Sequence, residues 1–176
     1  MPVPLPDSVV ARAPGAGDMF LSVNGARSGA IAGEAQDSKH KNEIEVLGWS
    51  WGMQGKPSLA GGGASGKSTI RELRITKRVD KSSTALMSAL RTNEVIKAVL
   101  TLRKAGKTQL EYLKITIQDG RVMSLDIEAG DSGGGSTLIE RVSFTFSKID
   151  VEYTPQGQDG QALGGTMFSD QWTAAS

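Results

Sequence analysis

Apolar residues in this chain recur mostly at every second position, the spacing of a strand with one face in a core and one in water. The first such run is Asp18–Val23, stopped by Asn24-Gly25. A small, polar stretch from Ala26 to Glu43 follows; it predicts a surface loop with a short strand near Ile31. Ile44, Val46, Trp49 and Trp51 then mark a second strand, in which the spacing of two sets both indoles on one face. After a long loop, Leu73, Ile75 and Lys77 alternate within a strand from about Ile70 to Val79. Asp80 to Thr84 is rich in N-cap residues, and Leu86, Met87, Ala89 and Leu90 form a helical stripe ending near Thr92-Asn93. It is the one helix that the pattern predicts.

Alternation resumes at Val95–Lys104, with Ile96, Ala98, Leu100 and Leu102 on one face. Ala105-Gly106-Lys107 reads as a hairpin turn, and Gln109–Gln118 as the returning strand, with Leu113, Ile115 and Ile117 inward. Asp119-Gly120 is a short hairpin signal, leading into Arg121–Ala129 with Met123, Leu125, Ile127 and Ala129 in register. Gly130–Gly135 is a further loop. In the last run, Thr137–Thr154, Leu138, Val142, Phe144 and Phe146 hold even positions, whereas Ile149, Val151 and Tyr153 hold odd ones. A strand cannot change faces without an irregularity, so a bulge or sharp bend belongs near Ser147-Lys148. Pro155 ends the pairing. Many strands, several hairpins and one short flanking α-helix predict a mainly β protein: an antiparallel β-barrel or two packed curved sheets. The organisation is a flexible N-terminal arm over residues 1–17, a barrel domain over 18–155 and a tail over 156–176.

Composition narrows the function more than it directs it. The 176 residues suit one domain, and 20 basic against 19 acidic side chains give a net charge of +1. That balance carries no footprint for nucleic acid or an anionic surface, and no apolar run approaches the length of a membrane span. Cysteine is absent, so disulfide and thiol chemistry are too. Met1-Pro2-Val3-Pro4-Leu5-Pro6-Asp7 lacks the basic and apolar regions of a secretory signal. Export would need a route that does not read one.

Candidate chemistry is sparse. His40 is the sole histidine and sits in a charged run, where it is expected to be solvated. No carboxylates are spaced to make a metal site around it, and no cofactor is implied. Interleaved charges such as Arg71-Glu72 read as solvent-facing ladders. Trp49 and Trp51 offer stacking surfaces for sugars or bases, although paired aromatics also serve as core or interface residues. Gly61, Gly66, Lys67 and Ser68 fit the phosphate-cradling pattern G-x-x-x-x-G-K-[ST]. That motif requires a buried strand before it and a helix after it. Here Met53-Gln54-Gly55-Lys56-Pro57-Ser58 precedes and a strand-like alternation follows, so the preferred reading is an extended loop. A nucleotide-binding P-loop is the alternative.

Several segments, taken in order, resemble the Hcp family, the tube proteins of the bacterial type VI secretion system. Gly48-Trp49-Ser50-Trp51-Gly52 with its glycine-rich sequel is similar to the family's double-tryptophan segment. Asp18-Met19-Phe20-Leu21 resembles the opening strand, and Thr76-Lys77-Arg78-Val79-Asp80-Lys81-Ser82-Ser83 the lead into the helix. Thr101–Gly106 with Glu111–Thr116 resembles the central hairpin, and Tyr153-x-Pro155-Gln156 the end of the last strand. The resemblance spans residues 18 to about 160. It implies a non-enzymatic subunit that forms hexameric rings, stacks them into a tube inside a contractile sheath under a VgrG spike, and carries effectors in the lumen. Such a protein assembles in the bacterial cytoplasm and is then secreted. The resemblance also implies that a loop after the double-Trp strand reaches the neighbouring ring: Gln54, Gly55, Lys56, Pro57, Ser58, Leu59, Gly61, Gly62, Gly63 and Gly66, on to Ser68.

Overall fold

The computed structural model describes residues 17–57, 67–106, 109–131 and 136–172. Eleven strands and one helix follow in order: β1 (Asp18–Gly25), β2 (Gly29–Ile31), β3 (Ile44–Ser50), β4 (Met53–Lys56), β5 (Lys67–Ile70), β6 (Leu73–Arg78), α1 (Ser82–Arg91), β7 (Ile96–Arg103), β8 (Glu111–Asp131), β9 (Ser136–Thr145), β10 (Lys148–Tyr153) and β11 (Thr166–Gln171). Six of them close into an antiparallel barrel in the order β8, β7, β1, β3, β6, β9 and back to β8. β10 and β11 extend the sheet beyond β8, β2 hangs on β1, and β4 and β5 form a separate two-stranded ribbon. The predicted barrel is the observed one. Its interior is filled by Leu21, Val23, Ile44, Val46, Ile75, Leu100, Ile115, Ile117, Val142 and Phe144, all buried. Alternation along each strand supplies these residues to one face, and closing the sheet removes most of its edges.

The long strand β8 corrects the hairpin expected at Asp119-Gly120. No turn occurs; the chain runs on, pairing with β7 and β10 through its first half and with β9 through its second. Asp119 adopts φ +49°, a left-handed kink, and a Cβ on Gly120 would lie 3.1 Å from the Ile96 carbonyl oxygen. The dipeptide therefore makes a corner at which one strand passes between two parts of the barrel. A second corner lies against it. The predicted irregularity near Ser147 is a real break between β9 and β10, and the Ser147 hydroxyl donates to Asp119 at 2.6 Å. The faces differ in part from the alternation read in the sequence: the β8–β9 register shifts between Val122 and Ser124, Met123, Ile127 and Leu138 are exposed, and Val122 and Ile139 are buried.

Helix α1 presents Ser82, Ser83, Leu86 and Ala89 to the protein and packs against β8 and β2. It ends as predicted: Asn93 takes φ +50° and the Glu94 amide donates to the Ala89 carbonyl. The expected strand from Ile70 to Val79 is instead two, β5 and β6, separated at Arg71-Glu72. The segment after Gln156, expected to be only a tail, contains β11 in six-residue register with β10, and Trp172 packs against Phe146. Residues 1–16 of the expected arm lie outside the described residues.

Candidate assembly surfaces

Gly48-Trp49-Ser50-Trp51-Gly52 has a local physical logic. The β3–β6 register shifts between Val46 and Gly48, so glycine stands at a bulge. Trp49 lies opposite Ile75, and both indoles are half-buried against the core. Gly52 accepts a hydrogen bond from the Arg71 amide at 3.0 Å, and a Cβ there would come within 2.8 Å of the Arg71 guanidinium. The tryptophans thus spend much of their surface on packing against the core.

Beyond Gly52 the chain enters the ribbon, with Met53 opposite Ile70, Gln54 opposite Thr69, Gly55 opposite Ser68 and Lys56 opposite Lys67. The expected loop is therefore in part a β-hairpin: Gln54, Gly55 and Lys56 lie on β4, and Pro57 follows it. All four residues of β4 are exposed. Ser58, Leu59, Gly61, Gly62, Gly63 and Gly66 lie outside the described residues. The P-loop alternative fails on its context, because Lys67 and Ser68 begin strand β5, where a phosphate-binding loop requires a helix.

His40 is a second correction. It is only 7% exposed, with Nδ1 2.6 Å from Glu43, Nε2 2.7 Å from Glu111 and its ring stacked on Phe20 at 4.4 Å. Beside it Arg103, also buried, donates to Asp37 at 3.1 and 2.6 Å and to Asp18 at 2.8 Å. The Arg103 guanidinium and the backbone turn after Asp37 hold that carboxyl well below its ordinary range. Asp37 and then Asp18 raise the guanidinium in return. These contacts fasten the segment between β2 and β3 onto the outside of β1 and β7.

A third cluster was not visible as buried in the sequence. Lys77 and Glu140 are fully buried, 2.8 Å apart, and the lysine also reaches Asp80 at 3.0 Å and Ser83 at 3.1 Å. Ser83 donates to the same Glu140 oxygen, while Glu140 Oε1 has no partner. The signal was the parity of Lys77, which shares the inward face with Leu73 and Ile75. Glu94 is likewise buried and accepts the amides of Ser28 and Arg27, each at 2.7 Å, which lowers its pKa. None of these clusters pairs a nucleophile with a base in a cleft. Among the described residues no group of three or more histidine and carboxylate side chains is placed to hold a metal. A cleft of about 330 Å³ lies beside Asp18, Asp37 and Glu45.

What the surface offers instead is unpaired strand edges and bare apolar side chains. Met53, Tyr153, Leu163, Met167 and Phe168 are all more than two-fifths exposed, at 46, 46, 54, 62 and 42%. Among the described residues no helix is long and apolar enough to cross a membrane.

Comparison with known proteins gives one answer at the level of sequence and of fold. A family model described as "Type VI secretion system effector, Hcp" matches residues 20–153. Protein hcp1 of Pseudomonas aeruginosa is 42% identical over 154 residues, covering 85% of this chain and 91% of its own. Hcp1 from Salmonella typhimurium superposes with a TM-score of 0.68 at 31% identity, over 89% of this chain and 98% of its own. A solved type six secretion system protein gives a TM-score of 0.74 at 28% identity, over 86% of this chain and 92% of its own. By sequence and by fold alike, this chain belongs to the Hcp family of type VI secretion system proteins.

Proposed function

We propose that this chain is the structural subunit of a type VI secretion inner tube and has no catalytic activity. Six copies form a ring, rings stack head to tail, and the tube runs inside a contractile sheath beneath a VgrG spike. Effector proteins ride in the lumen, and the subunit leaves the bacterial cytoplasm through the apparatus without a cleaved signal peptide. Neither nucleic acid nor membrane insertion belongs to the cycle. The family match across residues 20–153 carries this reading. Physical considerations support it. A closed barrel is a rigid brick, and a ring requires a heterologous contact whose rotation closes. The segment Gln54–Ser68, whose described ends lie in the ribbon of β4 and β5, is the element for contact along the axis: the ribbon pairs with no barrel strand and β4 is wholly exposed. Electron microscopy of the purified protein tests the reading. Six-fold rings are the expected particles, and a strictly monomeric species at high concentration overturns it. Deleting Gly61–Gly66 is expected to leave single rings and abolish stacking; unaltered tubes would remove the ribbon from the account.

A further inference from the structure

Closing the barrel leaves few places for main-chain hydrogen bonding to another molecule. Among the described residues the strands with one side wholly unpaired are the three-residue β2, the two strands of the ribbon, and β11 at the end of the extended sheet; within the barrel, Arg121–Asp131 of β8 pair with β9 alone and Gly48–Ser50 of β3 with β6 alone. β11 pairs with β10 through six consecutive residues without a bulge. All six of its residues are exposed. Successive residues point to opposite faces of a strand, so the exposure of both Met167 and Phe168 means that β11 stands clear on both sides. Natural edge strands are commonly guarded by charged side chains, above all lysine, by proline, a bulge or a covering element. Thr166-Met167-Phe168-Ser169-Asp170-Gln171 has no lysine, proline or bulge, and Asp170 is its single charge. With Tyr153 and Leu163 it forms an uncovered apolar edge, the kind of surface that marks an interaction site.

The same chain carries a matching edge. β4 and β5 contain Lys56 and Lys67 and no carboxylate, whereas β10 and β11 carry Asp150, Glu152 and Asp170 against the single lysine Lys148. Opposite charge steers partners together and fixes their register. Both edges also bear apolar residues, Met53 on the ribbon and Met167 and Phe168 on β11. Strand addition draws its affinity from main-chain bonds and its selectivity from such side chains. Within one chain the two edges are not paired with each other.

We propose that β11 is the receiving edge for the ribbon of a second copy: β4 of a subunit in one ring adds to the outer side of β11 in a subunit of the adjoining ring. This rests on the tube reading and names the surface that the stacking ribbon meets. It joins two different surfaces, so it propagates head to tail, as stacking requires.

The absence of cysteine makes the test clean. Gln54→Cys is combined in turn with Met167→Cys, Phe168→Cys, Ser169→Cys and Asp170→Cys, which covers either side-chain parity of the new strand pair. Under mild oxidation one of these pairs is expected to give a covalent ladder roughly a hundredfold above the single-cysteine variants, because contact raises the local thiol concentration to the millimolar range. Lys56→Glu is expected to shorten stacks while leaving single rings, and adding Asp170→Lys to it is expected to restore their length. Failure of all four pairs to cross-link, in preparations whose images contain stacked rings, overturns the receiving edge and leaves the tube reading standing. Stack lengths unchanged by Lys56→Glu overturn the charge match and the contact with it. A wild-type protein that never stacks overturns both readings.

Discussion

Replacing Lys77 with methionine removes one charge from the most deeply buried ion pair and keeps most of the side chain's stem. Glu140 then stays fully buried, with Ser83 as its remaining donor and Oε1 still without a partner. Asp80 keeps its bonds to Ser82 but loses the ammonium 3.0 Å away. Breaking such a pair from one side costs about 3–5 kcal/mol, because the remaining charge has been taken out of water without compensation. In a chain of this size about 1 kcal/mol moves the melting temperature by roughly 2–4 °C, so Lys77→Met is expected to melt about 6–20 °C lower. The informative variant is the double one. Lys77→Met with Glu140→Leu removes both charges, and desolvation then no longer opposes folding. It is expected to recover most of the loss, and apolar replacement of a whole buried pair can even stabilise by about 1–4 kcal/mol. Urea unfolding followed by circular dichroism reads this, at one fixed protein concentration because ring formation adds its own stabilisation. A double variant no more stable than Lys77→Met refutes the reasoning. So does a single variant that loses less than about 1 kcal/mol, the cost of a surface pair.

Three further outcomes follow from particular contacts. A Cβ on Gly33 would lie 2.5 Å from the Glu43 carbonyl oxygen and 2.7 Å from the Ile44 Cα, so Gly33→Ala is expected to lower stability by about 1–3 kcal/mol in urea unfolding. His40→Ala deletes a buried ring held by Glu43, Glu111 and Phe20; a loss of about 2–4 kcal/mol is expected, and no loss would mean that the ring is solvated after all. The amides of Ser28 and Arg27 depress the pKa of Glu94 in the folded chain. Its contribution is therefore complete above the ordinary glutamate value and is lost as pH falls through the depressed one. Urea midpoints measured from neutral pH downward should fall less steeply for Glu94→Gln than for the wild type, from a lower starting point at neutral pH; parallel profiles would rule the contribution out.

The barrel was legible because most of its strands obey one rule, alternation, and closure needs only that each keep its face. The parity change between Phe146 and Ile149 located a corner without any homologue, since only a break can move an apolar series from even to odd positions. Its partner corner was misread for an equally physical reason. Asp-Gly favours a left-handed backbone, and Asp119 does adopt one, but such a residue serves a bulge within a strand as well as a two-residue turn. What decides between them is whether the following residues pair backward or onward, and that depends on β9, distant in sequence. His40 was misplaced because a charged neighbourhood looks solvated until its charges turn out to face one another. Strand β11 was read as part of a tail because periodicity over six residues holds too few apolar positions, here Met167 and Phe168, to stand out.

Closure also determines where association can occur. A six-stranded barrel in which each strand pairs with two others leaves little edge of its own, chiefly Arg121–Asp131 of β8, so accretion of strand upon strand is restricted over most of the surface. Outside the barrel the free edges belong to appendages: a ribbon that leaves it at Gly52, and a strand added beyond β10. β4 and β11 can be altered without touching the interior, because every residue of both is exposed, whereas Ile70 of β5 packs against the core. Substitutions confined to β4 or β11 should therefore change assembly with the subunit's unfolding midpoint unmoved. Those at Lys77, Gly33 or His40 should move the midpoint first and assembly only as a consequence. If substitutions in the ribbon lowered subunit stability as much as Gly33→Ala does, the division between brick and connector would be wrong.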